Sequence, residues 1–93
     1  MERKYIIVHM QNRKEMINVL LESYIVNNER IYCWCKIRGN SRVSCWHKTS
    51  KKQLIKNKVL PFIIEMLENG AGFTKEEIGI KNIFLTLNSN YAI

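Results

Sequence analysis

Three thiols and one imidazole fall close together in the chain, as Cys33-x-Cys35 and Cys45-x-His47. Placed on one face of a hairpin, with Cys33 opposite Cys45, they would form the donor set of a zinc site. The spacing favours a different role. Zinc hairpins leave two to four residues between ligands so that the backbone curls around the ion, whereas alternate residues of a strand point in parallel. The thiols therefore read as small buried hydrophobes, and no metal or cofactor is expected. For catalysis there is little to work with: His9 and His47 are the only histidines, and no carboxylate lies between Arg30 and Lys58. Neither a glycine-rich phosphate loop nor a Ser/His/Asp arrangement occurs, so a non-enzymatic chain is expected.

A second set of residues carries binding chemistry. Tyr32, Trp34 and Trp46 lie among Lys36, Arg38, Arg42 and Lys48, and Ser50-Lys51-Lys52 with Lys56 follows directly. Aromatic rings among cations suit single-stranded nucleic acid, because bases stack on the rings while Lys and Arg neutralise phosphates. Lysines crowded at the start of a helix, which already carries partial positive charge, are placed to hold a phosphate. The alternative for the three rings is packing, either beneath the segment Ala71 to Ile80 or in a homodimer interface.

The charge distribution points the same way. The net charge is +7, and nine basic residues with no acidic one lie between Arg30 and Lys58, whereas outside that stretch six basic side chains face eight acidic ones. So one-sided a field attracts polyanions. No 18-residue apolar run is present, and the apolar stretch after Met1-Glu2-Arg3-Lys4 is too short for a signal peptide or membrane span. A cytoplasmic protein with reduced thiols and no membrane association is the expectation.

The elements that must position these residues can be read from periodicity. Ninety-three residues make a single domain, 1–93. Tyr5 to Met10 is a short β-branched apolar run and reads as a strand. Asn12 with Glu15 matches a capping box, and Met16, Ile17, Val19, Leu20, Leu21 and Tyr24 then form the stripe of a helix running to Tyr24. Arg30 to Lys48 alternates twice about Arg38-Gly39-Asn40, a β-hairpin. A three-residue loop pairs Ile37 with Ser41 and Tyr32 with Trp46. That register puts Ile31, Cys33, Cys35, Ile37, Val43, Cys45 and His47 on one face, and Tyr32, Trp34, Lys36, Arg42, Ser44, Trp46 and Lys48 on the other. Ser50 opens a second helix with Gln53 at the reciprocal capping position. Its buried stripe is Ile55, Val59, Phe62, Ile63 and Met66, Pro61 kinks or breaks it, and Asn69-Gly70 ends it. Thr74 with Glu77 caps one further turn, and Lys81 to Asn88 alternates as a last strand.

The resulting order, βαββαβ, is the ferredoxin-like (split βαβ) pattern of an α+β domain: a four-stranded antiparallel sheet with two helices on one face. This architecture resembles that of RNA recognition motif domains, whose open sheet faces bind RNA through aromatic rings; here Tyr32, Trp34, Trp46 and Phe84 would stand on that face. The third strand, Arg42 to His47, lacks that family's glycine-and-aromatic signature. The Ser50-Lys51-Lys52 run is similar to the start of the last helix of double-stranded-RNA-binding domains, a resemblance that would cover Asn12 to Leu67. Two functions are therefore expected from the residues. One is a small protein binding RNA or single-stranded DNA through Tyr32, Trp34, Lys36, Arg38, Arg42, Trp46, Lys48, Lys51, Lys52 and Lys56. The other is a protein-interaction module of a virus or mobile element, docking its basic hairpin on an acidic or nucleic-acid-binding site of a larger enzyme.

Overall fold

The computed structural model of the chain describes residues 3–80. It is an α+β fold built on an open antiparallel sheet, with strands β1 (Tyr5–Asn12), β2 (Glu15–Val26), β3 (Glu29–Arg38), β4 (Ser41–Arg42) and β5 (His47–Thr49). Helices α1 (Lys51–Lys56), α2 (Pro61–Glu68) and α3 (Lys75–Ile78) follow. β2 is central between β1 and β3, while β4 and β5 both pair with β3.

The expected first helix is instead strand β2, so the βαββαβ order does not hold. The likeness to RNA recognition motif domains and to double-stranded-RNA-binding domains, both of which need that helix, falls with it. The physical reason lies in burial. Ile17, Val19 and Leu21 pack on one side of the sheet and Leu20 on the other, and Val19 to Glu22 are all buried. A strand covered on both faces loses its polar alternation and imitates the wide stripe of a helix. β-branched Ile17, Val19, Ile25 and Val26 suit the extended form. Asn12 and Glu15, taken as a helix cap, close a two-residue turn, Arg13-Lys14.

Each face of the sheet carries a core. On one, Val8, Met10, Ile17, Val19 and Leu21 meet Leu54 of α1, Val59, and Ile64 and Leu67 of α2, with Tyr32 and Trp34 against the edge. Both helices thus cover the same face. On the other, Tyr5, Leu20, Cys33, Cys35 and Ile37 enclose Trp46 and Ile80. Tyr32 and Trp34 therefore face the helices, opposite to the expected orientation of the hairpin.

Local chemistry accounts for the remaining elements. Ser50 Oγ accepts from the Gln53 amide at 3.1 Å and caps α1. Pro61 breaks the helical segment and restarts it as the first residue of α2, where its missing N–H costs nothing. Thr74 and Glu77 form the expected capping box of α3, and these bonds hold the Glu77 carboxyl below the usual carboxylate range. The strand expected at Lys81 to Asn88, with Phe84, lies outside the described residues. Among the described residues no helix is long and apolar enough to cross a membrane.

Candidate functional site

The hairpin register decides where the expected binding residues go. Gly39-Asn40 is a two-residue turn with Gly39 at φ 59°, pairing Arg38 with Ser41 and Ile37 with Arg42. Further along, Trp34 pairs with His47 and Tyr32 with Thr49. Between these contacts Val43 to Trp46 oppose only Cys35 and Lys36, so the second arm bulges by two residues. Lys36 anchors the bulge: its amide donates to Ser44 Oγ at 2.8 Å and its carbonyl accepts from Val43 at 2.9 Å. The expected register with its three-residue loop is thereby corrected.

The shift separates the three rings that were expected to share a face. Trp46, only 1% exposed, is buried beside Cys33 and Cys35, with its ring 6.2 Å from that of Tyr5. Trp34 stays on the helix side, half-buried, its ring 4.4 Å from His47. Tyr32 donates its hydroxyl to Glu68, and burial together with that carboxylate pushes the phenol up to about 12. The four zinc-capable side chains part in the same way. Cys33 and Cys35 are buried on one face, His47 lies with Trp34 on the other, and Cys45 is exposed. Burial raises the Cys35 thiol to about 12, so it stays protonated at neutral pH.

The cations sort differently, by position along the sheet. β1 and β3 both run antiparallel to β2, so the β1–β2 turn and the β3–β4 turn lie at one end. That end carries Arg13 and Lys14 in one turn and Lys36, Arg38 and Arg42 in the other hairpin. α1 finishes there too, since the Gln11 amide donates to the Asn57 carbonyl at 2.8 Å; this brings in Lys56 and Lys58. Glu15, 3.7 Å from Lys36, is the carboxylate at this end among the described residues. The other expected lysines lie away from it. Lys48, Lys51 and Lys52 sit where β5 runs into α1, level with Tyr32 and Cys33, and Lys51 is 3.4 Å from Glu68.

The opposite end is mixed in charge and internally bonded. Arg3 pairs with buried Glu22 at 3.1 Å and lies over the Tyr24 ring. Arg30 donates to Ser23 Oγ and to the Glu68 carbonyl, and Lys4 to the Gly70 carbonyl, closing the C-terminal end of α2. An open groove of about 580 Å³ between Tyr24, Ile25, Val26 and Leu67 is rimmed by these cations.

No protein-family model, curated protein or solved structure matches the chain. Sequence reasoning missed Arg13, Lys14 and Lys58 as members of the basic site. The first two were hidden by reading Asn12 to Glu15 as a helix start; the β-branched Ile6, Ile7 and Val8 before the turn and Ile17 and Val19 after it are its only local signal, masked by the continuous apolar stripe of β2. Arg13 at φ 61° and Lys58 at φ 75° are also held in the left-handed region, a conformation that costs a residue with a Cβ about 1–2 kcal/mol.

Proposed function

We propose that this chain is a small nucleic-acid-binding protein that grips the phosphate backbone with the basic end of its sheet. The observation that carries the reading is the gathering of Arg13, Lys14, Lys36, Arg38, Arg42, Lys56 and Lys58 from two turns and a helix end around a single described carboxylate, Glu15. Three separate segments supply the charge, so it forms a surface rather than a run along one strand. Such a patch neutralises several phosphates at once and binds with steep dependence on salt. The inward placement of Tyr32, Trp34 and Trp46 removes the support for base stacking. Recognition then rests on phosphate contacts, which position a nucleic acid without reading its sequence.

Anisotropy titrations with labelled single-stranded RNA, single-stranded DNA and duplexes at 50–300 mM salt test this. Affinity should fall linearly on a log–log plot, and Arg38→Gln with Arg42→Gln should flatten the slope by about one unit per cation, equally for all sequences. Lys51→Gln with Lys52→Gln should flatten it less, because Lys51 already has Glu68. Absence of binding at low salt, or a slope unmoved by the arginine changes, would overturn the proposal. The protein-interaction reading has its own support in Leu60, Phe62 and Met66, which are 53%, 57% and 42% exposed in and beside α2; Phe62 and Met66, with Ile55, were expected in the buried stripe, but Leu54, Ile64 and Leu67 fill it instead. Large apolar side chains grouped on an outer helix surface are a docking feature rather than a phosphate-binding one.

A further inference from the structure

Seven described residues adopt positive φ, and five of them are of the types that do so at little cost: Gly39, Gly70, Gly79, Asn27 and Asn28. The other two are Arg13 and Lys58. The end of α2 shows what Lys58 forgoes. α2 ends in a Schellman motif with Gly70 at φ 81°, its amide donating to the Leu67 carbonyl and that of Ala71 to Met66. α1 ends in the same motif, with Lys58 donating to Ile55 and Val59 to Leu54, yet a lysine stands where α2 has its glycine. The turns repeat the contrast. Asn27-Asn28 and Gly39 meet the positive-φ demand with permissive residues, whereas the β1–β2 turn meets it with Arg13.

Both unfavourable positions lie at the same place. The Gln11 amide donates to the Asn57 carbonyl at 2.8 Å, so the turn holding Arg13 and the helix end holding Lys58 are joined by one backbone hydrogen bond. The Gln11 side chain donates to the Arg13 carbonyl at 3.2 Å and fixes the turn. Both cations are exposed, and on the Arg13 side an open depression of about 500 Å³ is lined by Asn12, Arg13, Lys14 and Glu15, with Lys58 beyond its rim. Backbone conformations that the side chain itself disfavours concentrate where a ligand needs that side chain.

We infer that Arg13 and Lys58 form a two-cation clamp, preset by their left-handed backbones on either side of the Gln11–Asn57 bond, for a phosphate group of the bound nucleic acid. Left-handed φ swings each side chain away from the direction that an ordinary strand or helix end would give it. The clamp is thus built into the backbone before any ligand arrives, which lowers the ordering cost of binding. This inference rests on the nucleic-acid reading for the source of the phosphate, but the clamp is a property of the phosphate chemistry alone.

Arg13→Gly and Lys58→Gly, singly and together, separate this role from a merely structural one. Relief of the backbone should raise the melting temperature by about 2–5 °C per substitution. Affinity for a single-stranded RNA probe at 100 mM salt should drop about threefold to tenfold each, with the salt slope flattened by about one unit each. Lys75→Gln, at the α3 end of the molecule, is the charge control and should change the slope little. In parallel, inorganic tripolyphosphate should shift the backbone amide signals of residues 12–14 and 57–59 in the wild-type protein and not in the double variant. RNA binding unchanged by the glycine variants, with no tripolyphosphate shifts, overturns the clamp while leaving the broader function intact. Tripolyphosphate shifts without RNA binding uphold the clamp and overturn the nucleic acid as its ligand. A melting temperature that falls on either substitution means that the left-handed side chain is structural, and the clamp fails.

Discussion

Glu22 shows at the scale of one residue how this fold tolerates a charge in its interior. It is fully buried on the face that also holds Tyr5, Leu20 and Cys33, with Arg3 bonded to Oε2 at 3.1 Å. Burial raises its carboxyl above the usual carboxylate range, and the Arg3 guanidinium and the Tyr5 hydroxyl pull the other way without restoring it. The sign of the pH effect follows. A carboxyl that holds its proton more tightly when folded contributes its full stability below the unfolded value, and loses it as pH rises through the folded one. Glu22→Gln removes the titration, so the variant should gain stability over the wild type as pH rises from the ordinary carboxylate range toward neutrality, with a constant difference below it. Thermal melts at pH 4 to 8 measure this. A variant that loses ground as pH rises would mean that the Arg3 pair outweighs burial.

At the scale of elements, Gly72 joins the helical half to the sheet. Tyr5 and Phe73 exchange two backbone hydrogen bonds of 2.8 Å, an isolated bridge tying the loop after α2 to the first residue of β1. A Cβ at Gly72 would stand 2.8 Å from the Tyr5 carbonyl oxygen and 2.9 Å from Leu67 Cδ1, closer than packed atoms allow. Leu67 can move, but the Tyr5 backbone is held by β2. Gly72→Ala should therefore cost about 1–3 kcal/mol in urea unfolding and speed amide exchange at Tyr5 and Phe73; an unchanged midpoint would show that the bridge yields freely. Elements of this local kind were legible in the sequence. Ser50, Pro61, Thr74 with Glu77, and Gly70 each act on their immediate neighbours, and each does in the structure what its chemistry implies. The elements that depend on distant partners were not legible. β2 reads as a helix because two cores, brought together only by the fold, bury both of its faces. The hairpin register was lost for a similar reason. Nothing within Arg30 to Lys48 announces that Val43 to Trp46 bulge so that Trp46 can reach Tyr5 and Ile80. The basic character of the site was visible, but its gathering at one end, with Arg13 and Lys14, followed only once β1 and β2 were paired.

The described residues form one sheet with a core on each face, and the two tryptophans report on different cores. Trp34 packs against the core beneath α1 and α2, while Trp46 is enclosed in the core on the opposite face with Tyr5 and Ile80. β2 contributes buried side chains to both, Val19 and Leu21 to one and Leu20 to the other, so neither core can open without disturbing the strand that holds the second. Neither core buries enough apolar surface by itself to stand alone. Unfolding should then be one cooperative event. Trp34→Phe leaves Trp46 as the single reporter of the far face, and Trp46→Phe leaves Trp34 as reporter of the helix face; each variant sets its own stability. Within each variant, the fluorescence midpoint in urea should coincide with that of far-ultraviolet circular dichroism. Ile64→Ala, made beneath α2, should lower the Trp46-reported midpoint in the Trp34→Phe background by an amount corresponding to about 2–5 kcal/mol, although Ile64 belongs to the other core. A Trp46 transition that ignores Ile64→Ala, or that separates from the dichroism curve, would show two independently melting layers. The basic end would then be held by the helix-side layer alone, through the Gln11–Asn57 bond.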